Sequence, residues 1–185
     1  GVYQFYLERH EASIAQDYAA AGTSTDKLKQ FAAGHEGHTL GGTAYLRIAD
    51  EAYAAGKFGE AQTAYAKAIA SLKDSPFGAR AKVGAAMSIL SAGNSSEGQL
   101  ALKKIVDDST QFKGLRTQAC YQLASLASQA GNSGDVRKYT DQLLQIDASS
   151  PWAQYALLLR SKLPAGADAK PAPGNTEIKL SPPGK

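Results

Sequence analysis

Apolar residues between positions 44 and 76 recur at helical spacing in two successive runs. Within each run they fall at i, i+3, i+4 and i+7, which places them on one face of a helix. The first run consists of Tyr45, Ile48, Ala49 and Ala52, and the second of Ala61, Ala64, Tyr65, Ala68, Ile69 and Leu72. This pattern predicts two amphipathic helices joined at Gly56, a hairpin whose apolar faces need neighbours of the same kind.

The chain repeats this hairpin. Gly56, Gly93 and Gly131 each separate two helical runs, and they lie 37 and 38 residues apart. The second helices of the later units carry the same apolar ladder, which reads Leu102, Ile105 and Val106, then Val136, Tyr139, Thr140, Leu143 and Leu144. Two-helix repeats of this length predict an all-α fold, an α-solenoid of stacked helical hairpins.

The residues before the repeats predict a pair of helices. Residues 2–21 form one helical run that Gly22 would end, and a short helix follows from Ser24 or Asp26, both good N-caps. Residues 34–42 contain four glycines and predict a loop.

The residues after the repeats predict a cap and a tail. Pro151 begins a final helix that would cover the last repeat with Trp152, Ala156 and Leu159. From Pro164 the chain is rich in proline, glycine and alanine, and we expect a disordered tail. The chain thus divides into an N-terminal helix pair with its loop (1–43), the repeats with their capping helix (44–163) and the tail (164–185).

Composition narrows the function classes. The chain has 185 residues and a net charge of only +3, without a Lys/Arg cluster dense enough for a nucleic-acid footprint. A lone cysteine, Cys120, rules out an internal disulfide framework. No run of 18 apolar residues is present, so we expect any membrane attachment to come from a helix before residue 1.

The first ten residues have two interpretations. Aromatic residues followed by Arg9 and His10 are typical of the point where a membrane helix leaves the bilayer. The aromatic residues are Tyr3, Phe5 and Tyr6. In the alternative interpretation, Tyr3, Leu7, Ile14 and Tyr18 form the packed face of a first helix.

Two groups of residues invite a chemical interpretation. His35, Glu36 and His38 could supply part of a metal site, but no further Cys or Asp cluster supports them, and we expect a solvated loop. Cys120 lies at an apolar helical position without a nearby histidine, so we expect a packed side chain and no nucleophile. We therefore predict a protein that is not an enzyme and that needs no cofactor and no metal.

The repeats resemble the tetratricopeptide repeat. The family pattern of alternating large and small residues maps onto the first unit, and the turn Gly56-Lys-Phe-Gly-Glu-Ala61 is its most specific part. The later units match more loosely, and the repeats are about three residues longer than the family's usual period. The resemblance implies degenerate repeats that bind protein or peptide partners.

The whole layout is similar to a narrower family. A membrane-exit segment, a long first helix, a Phe-Ala-Ala motif at 31–33 and degenerate repeats resemble the membrane-anchored periplasmic ancillary subunit of the Sec translocon. Its repeat region shares a family with the cell-division coordinator. The resemblance implies a single inner-membrane helix and a periplasmic domain that engages chaperones or emerging secretory proteins.

In such a solenoid, the partner usually lies in the groove lined by the first helix of each hairpin. Side chains with apolar, aromatic and a few charged groups would line it. They are Leu46, Asp50, Tyr53, Arg80, Val83, Met87, Leu90, Gln118, Tyr121, Ser125 and Ser128. Alternatively, the first helix of the chain lies in this groove and buries some of them. The family's mode of holding a terminal carboxylate is not expected, because Asp50 would repel it.

The predicted function is protein binding at the secretion machinery on the outer face of a bacterial inner membrane. Two alternatives stay open. The repeats could assemble copies of the chain into an envelope or cell-division scaffold, or the chain could be a soluble cytosolic adaptor. The oligomeric state and the identity of the partner do not follow from the sequence.

Overall fold

The computed structural model describes residues 1–164, and within this range the chain forms nine α-helices and no strand. The helices are α1 (Val2–Ala21), α2 (Thr25–Gly34), α3 (Thr39–Ala54), α4 (Phe58–Leu72), α5 (Pro76–Ser91), α6 (Ser95–Asp107), α7 (Lys113–Gln129), α8 (Ser133–Asp147) and α9 (Pro151–Ser161). The tail predicted to be disordered lies outside the described residues, apart from Pro164.

The helices pack in the order in which they occur along the chain. α3–α4, α5–α6 and α7–α8 are hairpins, and each hairpin packs against the helix that follows it. The first helices also touch one another in sequence, α3 against α5, α5 against α7 and α7 against α9. The predicted all-α solenoid is confirmed, and its first helices form one continuous side of the molecule.

Glycine makes the turn inside each hairpin. Gly56, Gly93 and Gly131 have φ angles of 75°, 95° and 71°, in the left-handed region that residues with a side chain rarely adopt. The residue after each glycine returns its N–H to a carbonyl of the preceding helix, as Lys57 does to Ala52 over 2.8 Å. The spacing of 37 and 38 residues seen in the sequence is therefore the spacing of these turns.

The core consists of two clusters that meet on α5. The first cluster contains buried residues of α1 to α4 and includes Ala81 of α5. The second runs from α5 to α9 and includes Ala79, Val83 and Ala86. Because alanine occupies both buried faces of α5, the helices of neighbouring hairpins can approach closely.

The predicted loop over residues 34–42 is wrong at both ends. Gly34 belongs to α2, and α3 begins at Thr39. A Cβ atom at Gly41 would lie 1.9 Å from the carbonyl oxygen of His35, and one at Gly42 would lie 2.8 Å from Leu72 Cγ. These two glycines are buried helical residues that let α3 pack closely.

The buried residues of α1 lie in its C-terminal half. Ile14 and Ala21 are buried, and Arg47 of α3 donates to the Tyr18 hydroxyl over 3.2 Å. The residues that precede this half are exposed, and Tyr3 keeps 75% of its surface accessible. The interpretation of a continuous packed face is therefore wrong for Tyr3 and Leu7.

α9 covers the last hairpin as predicted. It packs against α7 and α8, with Ala153 and Ala156 buried and Trp152 and Leu159 half-buried. The Ser150 hydroxyl accepts from the Trp152 N–H and caps the helix. Its outer face is partly apolar, since it exposes Tyr155, Leu157 and Leu158.

Candidate binding groove

A cleft of about 200 Å³ lies on the side formed by the first helices, between α3 and α5 and reaching α7. Its lining consists largely of residues that the sequence predicted for a groove. The lining residues are Asp50, Tyr53, Tyr65, Arg80, Val83, Gly84, Met87 and Gln118. The structure thus brings together six of the predicted residues from three helices.

An ion pair forms part of the lining of this cleft. The Arg80 guanidinium pairs with the Asp50 carboxylate, which also accepts a hydrogen bond of 2.6 Å from the Tyr65 hydroxyl. Burial raises the pKa of Tyr65, so its hydroxyl stays protonated and remains a donor at neutral pH. The repulsive carboxylate that the sequence suggested at Asp50 is therefore neutralised by its neighbours.

Tyr53 and Met87 provide the apolar part of the cleft. Tyr53 is half-buried, its ring meets Phe58 edge-on at 5.4 Å, and its hydroxyl lies 3.0 Å from the Ser91 hydroxyl. Met87 is half-buried on the next first helix. A held tyrosine ring beside a flexible thioether can adapt to different apolar side chains.

A second cleft of about 210 Å³ adjoins the first between α5 and α7. It shares Arg80 and Gln118 with the first cleft. Its other lining residues are Pro76, Ala79, Phe112 and Leu115. We call the two clefts together the α3–α5–α7 groove. No residue of α1 lines either cleft, so the first helix does not fill this groove as the sequence alternatively suggested.

Several predicted residues lie elsewhere. Leu46 and Val83 keep only 3% of their surface exposed and belong to the core, although Val83 forms part of the cleft floor. Leu90 packs against the start of α6, where a Cβ atom at Gly98 would come within 2.4 Å of its Cγ. Of the other predicted residues, Ser125 and Ser128 are half-buried on α7 and line neither cleft, and Tyr121 lies further along, against α9.

The sequence did not predict a further cleft, which is larger than either cleft of the α3–α5–α7 groove. It measures about 490 Å³ and lies where α2 and α4 both pack on α3. Tyr45 and Ile48 form its floor, and Lys29, Glu60 and Lys67 lie on its walls. The pattern assigned Tyr45 and Ile48 to the core, and only the small residues Gly59 and Thr63 on the outer face of α4 hint at an opening.

The two histidines considered for a metal site bind protein groups. The His35 ring stacks on Phe31 at 4.2 Å, and its Nδ1 donates to the Phe31 carbonyl over 2.8 Å. His38 caps α3, because its Nδ1 accepts from the Leu40 N–H. Its Nε2 then donates to Glu11 over 2.8 Å and connects α1 to this turn.

Glu36, between these histidines, also has protein partners. It accepts from the Tyr45 hydroxyl over 2.7 Å and pairs with Lys67 over 3.3 Å. The hydrogen bond from Tyr45 and the charge of Lys67 lower the pKa of Glu36, while burial and this carboxylate raise the pKa of Tyr45. Within residues 1–164, no three His, Cys, Asp or Glu side chains are grouped to hold a metal ion.

Comparisons with known proteins name no family for this chain. No protein-family model, no curated protein and no solved structure matches it.

Proposed function

We propose that the chain is a non-enzymatic protein-binding module that holds an apolar peptide segment of a partner in the α3–α5–α7 groove. The observation that carries this proposal is the meeting of Asp50, Tyr53, Arg80, Met87 and Gln118 around two adjoining clefts. Because Asp50 and Arg80 neutralise each other, the groove offers a net-neutral surface with apolar and aromatic groups on both sides. Tyrosine, methionine and arginine are enriched at protein interfaces relative to the rest of the protein surface, and tyrosine and arginine also in their energetic hot spots.

The proposal includes a cellular setting, the periplasmic face of a bacterial inner membrane. There the module would bind chaperones or emerging secretory proteins at the Sec translocon, as the resemblance of its layout implies. The exposed aromatic residues Tyr3, Phe5 and Tyr6 support an attachment of α1 at a membrane interface, where tyrosine is enriched. No helix within residues 1–164 is both long and apolar enough to cross a bilayer.

Site-specific photo-cross-linking tests the groove. A photoreactive phenylalanine analogue in place of Met87 should form adducts with a chaperone or an emerging secretory protein in living cells. The matched control carries the analogue at Lys103, which is exposed on α6 and lines neither cleft. Adducts from both positions, or none from position 87, would contradict the groove assignment.

Fractionation tests the setting separately. The native protein should remain with the membrane after alkaline extraction and should be cleaved by protease added to spheroplasts. Recovery in the soluble cytosolic fraction would contradict the membrane setting and favour the adaptor alternative. The groove assignment would still rest on the cross-linking result.

The end of the solenoid favours a second candidate function, self-assembly. α9 exposes Leu157 and Leu158 on its outer face, where a further hairpin would pack in a longer solenoid. If copies of the chain associate through this face, light scattering should give a dimer or larger mass for the native chain and a monomer for Leu158→Glu. A monomeric native chain would remove this candidate.

A further inference from the structure

Three aromatic rings lie together where α7 meets α9. The Tyr121 and Trp152 rings are 5.3 Å apart and inclined by 28°, and the Tyr155 ring lies 5.9 Å from each of them. Tyr121 and Trp152 are half-buried, and Tyr155 keeps 55% of its surface exposed. We call these three residues the aromatic platform. Neither cleft of the α3–α5–α7 groove includes them.

The register of the repeats places the platform in line with the groove. Arg80 on α5 and Gln118 on α7 are 38 residues apart, and Gln118 and Tyr155 on α9 are 37 apart, the same two spacings that separate the turn glycines. Arg80 and Gln118 each line both clefts, and α7 contacts both α5 and α9. Tyr155 is therefore the next member of a row of side chains that crosses the groove.

The length of this row sets the length of a peptide that could follow it. The row crosses two spacings between packed helices, which are about 8–10 Å each, so it measures about 16–20 Å. A peptide in the polyproline II conformation advances about 3.1 Å per residue, so about five to seven residues lead from the groove to the platform. One short segment without a turn can therefore occupy both.

The groove and the platform restrict the backbone conformation of such a segment. A peptide strand is held at the edge of a sheet, and residues 1–164 contain no strand. The two clefts measure about 200 and 210 Å³, less than the roughly 300 Å³ of the smallest drug-sized pockets, so each suits individual side chains rather than the face of a helix. Polyproline II needs neither a sheet edge nor a helix-wide groove.

The chemistry of the platform matches a polyproline II segment. Its three side chains are uncharged aromatic groups, and grooves lined by aromatic rings are the surfaces on which proline-rich peptides dock. The tyrosine hydroxyls and the indole N–H are also hydrogen-bond donors, and the Gln118 amide adds another donor in the same row. A polyproline II segment offers matching acceptors, because its carbonyl groups make no internal hydrogen bonds.

We propose that the aromatic platform is the part of the binding surface that selects the partner, by holding a proline-containing polyproline II segment next to the apolar segment in the α3–α5–α7 groove. This inference rests on the proposed function, because the groove must hold the adjoining part of the same peptide. It adds a class of partner sequence, in which an apolar residue and a proline are separated by the length of the row.

Trp152 is the single tryptophan of the chain, so its emission reports on the platform. The probe is a synthetic peptide with two leucines, a spacer of about six serine and glycine residues, and two prolines. Added to the full chain, it should shift Trp152 emission to shorter wavelength and reduce quenching by acrylamide. It should also bind about tenfold more tightly than a control peptide with alanine in place of both prolines. A second control carries arginine there, because arginine also packs on aromatic rings.

Two variants assign the selectivity to the platform. Tyr155→Ala should weaken binding of the proline peptide about tenfold, to the affinity of the alanine peptide, as anisotropy of a dye on the peptide would measure. Leu100→Ala is the matched control, because Leu100 is also 55% exposed but lies on α6 and lines neither cleft. Circular dichroism would check that both variants fold. The comparison of peptides on the native chain does not depend on either variant.

The leucines of the probe separate this inference from the function of the groove. Equal affinity for the proline, alanine and arginine peptides would overturn selection by the platform. The groove function would stand in that case if serine in place of both leucines abolished binding. Proline-dependent binding that does not need the leucines would contradict the groove function and the shared path. A change in Trp152 emission on dilution of the chain without peptide would assign the platform to a second copy and overturn the proposal.

Discussion

Tyr65 connects the core of the first hairpin to the groove. Its ring is buried among α3, α4 and α5, and a Cβ atom at Gly84 would lie 2.5 Å from it. Its hydroxyl reaches out of this core and donates to Asp50, which in turn pairs with Arg80. One side chain therefore both fills the core and fixes the charged centre of the proposed binding surface.

Replacing Tyr65 with phenylalanine should separate these two roles. The ring and its packing stay, but Asp50 loses one donor, so the free energy of unfolding should fall by about 0.5–1.5 kcal/mol. Urea denaturation would measure the change. Tyr139→Phe is the matched control, because Tyr139 is also buried but belongs to the second core cluster, away from Asp50. An equal loss in both variants would contradict the role of the Asp50 hydrogen bond.

Cys120 should be chemically silent in the folded chain. Burial raises its pKa to about 12, so the thiol stays protonated at pH 7 to 9, and only the thiolate reacts readily. Iodoacetamide at pH 8 should therefore label the native protein far more slowly than the urea-unfolded protein, as mass spectrometry would show. Because the thiol pKa is higher in the folded chain than in the unfolded chain, this difference contributes to the free energy of unfolding. The contribution is complete below the ordinary thiol pKa and is lost as the pH rises towards 12. Rapid native labelling would show that Cys120 is accessible.

At the scale of the helices, local chemistry determined the boundaries that the sequence predicted well. The glycines at 56, 93 and 131 adopt a positive φ that a residue without a side chain allows, and the fixed φ of Pro76 and Pro151 fits the first position of a helix. The residue type alone therefore indicates the structural role at these positions. Gly41 and Gly42 have the same composition signal but lie inside a helix, because neighbouring chain segments leave no room for a side chain. Contacts between distant residues decide such cases, and spacing does not reveal them.

The helix caps offer a test at this scale. Ser150 caps α9 and also donates to Thr117 on α7 over 3.0 Å inside the protein, whereas Ser75 only caps α5. Ser150→Ala should lower the free energy of unfolding by about 1–2 kcal/mol, because it removes the N-cap of α9 and one hydrogen-bond partner of the buried Thr117 hydroxyl. Ser75→Ala should lower the free energy of unfolding by less, because it removes only the N-cap of α5. Thermal denaturation of the two variants would compare them, and a larger loss for Ser75→Ala would contradict this account.

The α3–α5–α7 groove shows which side-chain positions helical register predicts and which it does not. Helical register correctly placed Asp50, Arg80, Met87 and Gln118 on one side, because the repeat spacing carries over from hairpin to hairpin. It could not reveal that Leu90 packs against α6. A small rotation of a helix about its axis decides whether such a side chain faces a cleft or a neighbouring helix. The cleft between α2 and α4 was missed for a similar reason, because it depends on the distance between two helices that do not follow one another in the chain.

At the scale of the whole molecule, α5 is the element that joins two halves. Its two buried faces belong to different core clusters, and α3, α4, α6 and α7 all pack against it. Each hairpin contacts only its neighbours, so stability should be a sum of local terms with nearest-neighbour coupling. Partner binding in the groove would bridge the two halves, because Asp50 belongs to the first and Gln118 to the second.

This organisation predicts that damage to one half stays in that half. Tyr65→Ala removes a large side chain from the first cluster, and Leu143→Ala removes one from the second. Each substitution should lower the free energy of unfolding by about 2–5 kcal/mol, because it leaves a cavity in its own cluster. Hydrogen exchange should then show faster exchange in α3 and α4 for Tyr65→Ala, with α7 and α8 nearly unchanged, and the reverse for Leu143→Ala. Uniform loss of protection along the whole chain in both variants would mean that the hairpins unfold as one unit, against the nearest-neighbour packing on which the solenoid depends.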